Sequence, residues 1–175
     1  VGAGAGVLIG NKMDKAKKAA EMANAEAEIM TDSEGTQYVK ATFSSGLLFA
    51  TGSSKLSASA VRDINTFVTN LKAEDSTFDI VIDGYTDNQG WRNCTAAQSK
   101  EKNQQLSLER ALAVQNQIVT SGYSSSRIIS VKGYGEDNPV ASNATAAGQE
   151  QNRRVEVFIL PSKDMINAAN AASQK

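Results

Sequence analysis

Two residues of opposite charge stand out among the polar clusters of this chain. Asp87 lies in GYTDNQG, where an alternating apolar run has just ended at Gly84. Arg110 lies in NQQLSLERA, with Asn103 upstream and Ser107 placed to cap a helix whose first turn holds the arginine. A third cluster, NRRVEV, carries Arg153 and Arg154 into a strand. If Asp87 and Arg110 face one another across a shallow cleft, they mirror a zwitterion. An α-amino acid head group offers an ammonium to Asp87 and a carboxylate that Arg110 can grip bidentately. Free backbone N–H groups at the helix start would add field of the right sign for that carboxylate. On spacing alone, an exposed salt bridge worth about 0–1 kcal/mol accounts for the pair at least as well. Arg153 and Arg154 would then be a solvated edge.

The elements that must position these residues follow from periodicity. Val39, Ala41 and Phe43 alternate with Lys40 and Thr42, which predicts a half-buried strand. The irregular stretch SSGLLFATGSSKLS tucks Leu48 and Phe49 inward, and Ser57 caps a helix with Val61, Ile64, Val68 and Leu71 on one face and Phe67 beside it. Phe78, Ile80 and Ile82 alternate with Asp79 and Asp83 in a second strand. Residues 85–105 read as a long polar loop. A second helix follows with Ala111, Val114 and Ile118 inward and Gly122 as its stop signal. A third strand spans about 127–132, and Val155, Val157 and Ile159 mark a fourth, with GYGEDNP between them as turn chemistry. The order β-α-β-α-β-β makes an α+β domain with a mixed four-stranded sheet and helices packed on one face.

That domain is expected over residues 36–161. Ahead of it, residues 1–35 read as a Gly/Ala-rich segment and a charged spacer. Residues 1–10, VGAGAGVLIG, form either a loose tail or the end of a small-residue packing segment near a membrane. Residues 12–30 are rich in strong helix formers but carry only a weak apolar stripe, which predicts a short solvated spacer helix. Residues 162–175 are an alanine-rich tail, at most a loose helix.

Composition narrows the chemistry. With 175 residues, 41% of them hydrophobic, the chain can bury one core plus an extension. Its 18 basic and 19 acidic residues give a net charge of −1, which leaves no electrostatic footprint for nucleic acid. No histidine is present, so Ser-His-Asp and Cys-His nucleophile pairs are excluded and the commonest metal ligand is missing. Cys94 is the single cysteine, so no internal disulfide can form. Neither a metal nor a cofactor is expected, and a binding module is favoured over an enzyme. No stretch approaches the roughly 20 apolar residues that span a bilayer. Beginning at Val1 within a Gly-Ala run, the chain reads as a processed or truncated product, with any membrane attachment upstream of Val1. Its oligomeric state is not legible.

Four motifs in order carry a family resemblance: TDNQG, then N-x-x-LS-x-x-RA from Asn103 to Ala111, then G-x-G-x-x-x-P from Gly133 to Pro139, then NRRVEV from Asn152 to Val157. Together with LLFATGSSKLS upstream, they resemble the OmpA-like C-terminal domain across about residues 36–160. The resemblance implies non-covalent binding of peptidoglycan through the diaminopimelate of its stem peptide. The aspartate of the TD motif, here Asp87, would hold the ammonium, and the arginine of the RA motif, here Arg110, the carboxylate. Thr86, Asn103 and Arg153 match supporting positions of the pocket. It also implies a periplasmic anchor, of lipoprotein type, tying the outer membrane to the wall. The alternative is a periplasmic scaffold of the same fold that binds protein. The chain departs from the family pattern in a longer stretch between Asp87 and Asn103, carrying Trp91 and Cys94, and in Tyr85 and Gln149, where many members have His and Arg. Trp91 reads as a shield for the loop base or, less simply, as a stacking surface for ligand.

Overall fold

A computed structural model describes residues 2–175. Its elements are α1 (Ala3–Met22), β1 (Glu26–Thr31), β2 (Gln37–Ser44), α2 (Ser45–Leu48), α3 (Ala58–Glu74), β3 (Asp79–Tyr85), α4 (Ala96–Thr120), β4 (Ile128–Gly133), α5 (Ala146–Asn152), β5 (Arg154–Leu160) and α6 (Lys163–Ser173). The strands form one sheet in the order β1-β2-β5-β3-β4. Strand β5 is antiparallel to both β2 and β3, and β4 runs parallel to β3 after the α4 crossover. The mixed α+β sheet is as expected, with a fifth strand added at one edge.

The alternation read from sequence places the core. Val39, Ala41 and Phe43 of β2, Ile80 and Ile82 of β3, and Val155, Val157 and Ile159 of β5 turn inward against Ile64, Phe67, Val68 and Leu71 of α3 and Ala111, Val114 and Ile118 of α4. Ser57 caps α3 as predicted, its Oγ accepting from the Ala60 N–H at 3.1 Å. Val61 is only half-buried, and Phe67 takes the deeper place.

The N-terminal segment corrects the expectation. Residues 1–10 are helical from Ala3 onward, Val1 lying outside the described residues, and α1 is no solvated spacer. Ala5, Ile9, Met13, Ala16, Ala19 and Ala20 form a buried stripe, and α1 packs on α3, α6, β1 and β2. The stripe is built mainly of alanines, so its contrast with the polar face is weak in sequence. The same small residues let the helix backbone lie close to its neighbours. Lys12 fastens it further, its Nζ 2.6 Å from Asp75 at the end of α3. The helix also ends sooner than the composition of residues 12–30 suggested. Asn24 adopts a left-handed φ of 64°. The N–H groups of Asn24 and Ala25 close back on the Glu21 and Ala20 carbonyls, the hydrogen-bond pattern of a Schellman stop. Chain direction then reverses into β1, which pairs with β2 through a turn held by the Asp32 carboxylate. The C-terminal tail is likewise ordered: Ser162 caps α6, which buries Met165 and Ala169 and rests on α1.

The remaining corrections concern the elements nearest the site. Helix α4 begins at Ala96, so half of the expected polar loop is helical. A reciprocal cap sets that start: Thr95 Oγ1 accepts from the Gln98 N–H at 3.1 Å, and Gln98 returns its side chain to the Thr95 N–H at 2.9 Å. Between β4 and β5, where only turn chemistry was expected, Thr145 caps the short α5.

Helix α4 lies directly on two glycines of the sheet. A Cβ added at Gly84 would stand 2.1 Å from the Ser107 carbonyl oxygen, and one at Gly133 2.3 Å from the Leu108 nitrogen. Ser107 is fully buried there, donating to the Gln104 carbonyl and accepting from the Gly135 N–H at 2.9 Å. This fixes the height of α4 above β3 and β4.

Two substitutions test these packings by chemical denaturation. Met13→Ala should lower the unfolding free energy by about 2–5 kcal/mol, whereas a solvated spacer would give a change within about 0.5 kcal/mol. Gly133→Ala should destabilise by about 1–3 kcal/mol or more, because backbone, not a flexible side chain, stands in the way. Wild-type stability would show that α4 does not sit on this glycine.

Candidate ligand cleft

The loop after β3, the middle of α4, the segment after α2 and the α5–β5 junction converge on one open cleft of about 540 Å³. Asp87, Thr86, Arg110, Asn103 and Arg153 all line it, together with Phe49, Gly52, Gln89, Trp91 and Gln149. Thus the five residues singled out from sequence are brought together. Their roles divide.

Asp87 is 5% exposed. Its Oδ1 accepts from the Gln89 N–H at 3.0 Å, which curls the loop, and its Oδ2 is ion-paired with Nη1 of Arg153. Arg110 is 4% exposed. Its Nε donates to the Ser53 carbonyl at 2.9 Å and Nη2 to the Ala50 carbonyl at 3.4 Å, while the guanidinium lies 5.1 Å from the Phe49 ring centroid. Asp87 and Arg110 therefore share a cleft but not a bond. Burial pulls the Arg110 pKa down, neighbouring Arg153 adds to that, and Asp87 opposes it; the group still carries its charge. A guanidinium has five N–H donors, and those beyond the two engaged here meet no protein acceptor among the described residues.

Arg110 is also not in a first helical turn. Because α4 starts at Ala96, its N-terminus is roughly 20 Å away along the axis. Field from that end, expected to favour a carboxylate at Arg110, falls off within the first turn and does not reach it. The Thr95-x-x-Gln98 capping box is the sequence signal that could have revealed this earlier start.

The supporting residues act mainly on the loop. Thr86 fixes its entry, with its N–H donating to the Gly135 carbonyl at 2.8 Å and its hydroxyl to the Asp87 carbonyl at 2.8 Å. Asn103 is a bracket: Nδ2 donates to the Gln89 carbonyl at 3.1 Å, and Oδ1 accepts from the Trp91 indole N–H at 2.8 Å. Arg153, half-exposed, is the cation already seated on Asp87. Arg154 is not a solvated edge. It is 4% exposed, stacked 3.8 Å from the Tyr85 ring centroid, and donates to the Asn152 and Asn138 carbonyls.

One residue that holds the site's surroundings in place escaped sequence reasoning. Asn152 is fully buried, and its amide accepts from the Val140 and Ala141 N–H groups and donates to the Ala141 carbonyl and Asn143 Oδ1. It pins the loop preceding α5, and so fixes the junction from which Arg153 reaches Asp87. Its place as the first residue of the NRRVEV motif was the available signal.

Comparison with known proteins supplies the family. The sequence profile of the OmpA family matches residues 48–153. Motility protein B of Bacillus subtilis is 39% identical over 94 residues, covering 54% of this chain and 34% of that protein. Peptidoglycan-binding protein ArfA of Mycobacterium tuberculosis is 41% identical over 80 residues, covering 46% of this chain and 22% of that protein. The matched part is thus about a third or less of either relative's length. Among solved structures, a MotB-like protein from Desulfovibrio vulgaris aligns with a TM-score of 0.71 at 21% identity, over 90% of this chain and 94% of that one, which speaks to fold alone. The ordered motifs of the cleft and the profile match over more than half of the sequence lead to one conclusion: this chain belongs to the OmpA family.

Proposed function

We propose that the cleft binds peptidoglycan non-covalently, through the zwitterionic end of diaminopimelate in its stem peptide. The observation that carries this reading is a buried carboxylate and a buried guanidinium lining one open cleft, the carboxylate already holding a cation and the guanidinium with N–H donors beyond those its two carbonyls take. Asp87 already accepts one cation, Arg153, so it can accept another; the incoming ammonium takes that place. Arg110 is held by carbonyls on one side and keeps unpaired donors for the ligand carboxylate.

Charge-assisted hydrogen bonds contribute roughly 1.5–3 kcal/mol each. Displacing Arg153 and dehydrating both ligand charges offset part of that gain. The balance suits a weak to moderate binder whose affinity falls as salt rises, appropriate to a module that grips a polymer at many points. The same reading has the domain hold the outer membrane to the wall.

Sedimentation with purified peptidoglycan tests the assignment. Asp87→Ala and Arg110→Ala should each weaken co-sedimentation by tenfold or more, about 1.4 kcal/mol, with thermal unfolding run alongside to confirm that the variants are folded. Folded variants that pellet like the wild type would sink the site assignment. A wild type that stays in solution would instead favour a protein-binding scaffold.

A further inference from the structure

Resting on the wall-binding reading, we propose that Trp91 forms a saccharide subsite beside the zwitterion site, so that the cleft reads an amino-sugar ring as well as the peptide.

The indole is set in place before any ligand arrives. The Trp91 main-chain N–H donates to Ser99 Oγ at 2.8 Å, and its indole N–H to Asn103 Oδ1 at 2.8 Å. Both anchors stand on α4: Ser99 on the early turns that the Thr95–Gln98 cap adds, Asn103 one turn further on. A Cβ built on Gly52 lies 3.8 Å from the far edge of the ring, so that edge rests near the opposite wall where no side chain intervenes. A ring held this way loses little freedom on binding.

The indole is also oriented for use. Lys102 Nζ stands 5.5 Å from the ring centroid, yet Lys102 is absent from the cleft lining, whereas Trp91 is part of it. Asn103 couples the two subsites, because the amide that holds the indole also holds the Gln89 carbonyl, two residues from Asp87. A cleft of about 540 Å³ falls in the range of ligands well beyond one amino-acid head group.

The chemistry of the occupant follows from what adjoins such a zwitterion in the wall polymer: small or anionic amino acids, and amino sugars. Among these, a pyranose ring alone presents a flat C–H face of indole size, which the negative face of the ring system attracts. Gln89, Gln149 and Arg92 line the same cleft as partners for hydroxyl and acetamido groups.

Trp91 is the only tryptophan, so its fluorescence reports on this subsite alone. Two soluble probes separate the subsites: the diaminopimelate-containing stem tripeptide, and the same peptide carrying its disaccharide. The wild type should bind the disaccharide form about tenfold more tightly than the tripeptide, as one aromatic contact allows. The disaccharide form should also shift the tryptophan emission, and the tripeptide should leave it in place. By calorimetry, Trp91→Ala should bind both probes with the tripeptide's affinity. Trp91→Phe, which keeps an aromatic face without the Asn103 bond, should keep most of the preference.

A Trp91→Ala protein that loses both probes alike would make Trp91 a structural bracket only and overturn the proposal. So would an undiminished disaccharide preference in that variant. A wild type that binds the tripeptide without preferring the disaccharide would overturn the saccharide subsite but leave the peptide reading standing. Binding of neither probe would overturn both.

Discussion

The backbone of α4 rests on Gly84 and Gly133 with no room for a methyl group between them, and the rest of the cleft depends on that contact. It brings Asn103 within reach of the loop that follows β3 and sets Arg110 at the floor, beside the carbonyls of the segment after α2. Raising α4 by the thickness of one side chain would break the Asn103 bracket, free Trp91 and carry Arg110 away from Asp87. The fold contributes precision to the site through close approach, and glycine is the residue that permits it.

A second constraint is electrostatic. Two charged groups, each nearly removed from water, line a single cleft, and a buried charge left without partners is strongly unfavourable. The ligand-free protein meets this by internal stand-ins. Arg153 occupies the place of a cation on Asp87, and two main-chain carbonyls occupy part of Arg110. The arrangement keeps the site folded when empty and makes binding an exchange of partners. That exchange explains why two charged contacts need not add up to tight binding.

Much of this was legible in the sequence, for identifiable reasons. Alternation in β2, β3 and β5 and the 3.6 period of α3 reported burial directly, because large apolar residues contrast with polar ones. Thr86, Asp87 and Arg153 were legible because they sit in motifs at strand ends, where loops present function on a rigid frame, while Asn103 and Arg110, inside α4, were legible through their own motif. What failed had weak contrast or nonlocal cause. The buried stripe of α1 is mostly alanine, so it resembled a solvated spacer, and β1 was hidden behind the helix-forming composition that Asn24 interrupts. Ser107 before an apolar run is a strong local signal for a helix start, and it masks the true start of α4 at Ala96. That serine is instead a mid-helix residue held by the glycine-containing turn beneath it. The Asp87–Arg153 pair joins residues 66 positions apart, and no local pattern announces it.

The central claim is that the ligand's ammonium replaces Arg153 on Asp87 while its carboxylate engages Arg110. A crystal structure of the chain saturated with diaminopimelate tests this most directly. The account predicts an ammonium nitrogen at hydrogen-bond distance from the Asp87 carboxylate, a ligand carboxylate on the free N–H groups of Arg110, and the Arg153 guanidinium drawn off Asp87. An empty cleft with the Asp87–Arg153 pair intact at saturating ligand, or ligand bound elsewhere on the chain, would contradict it.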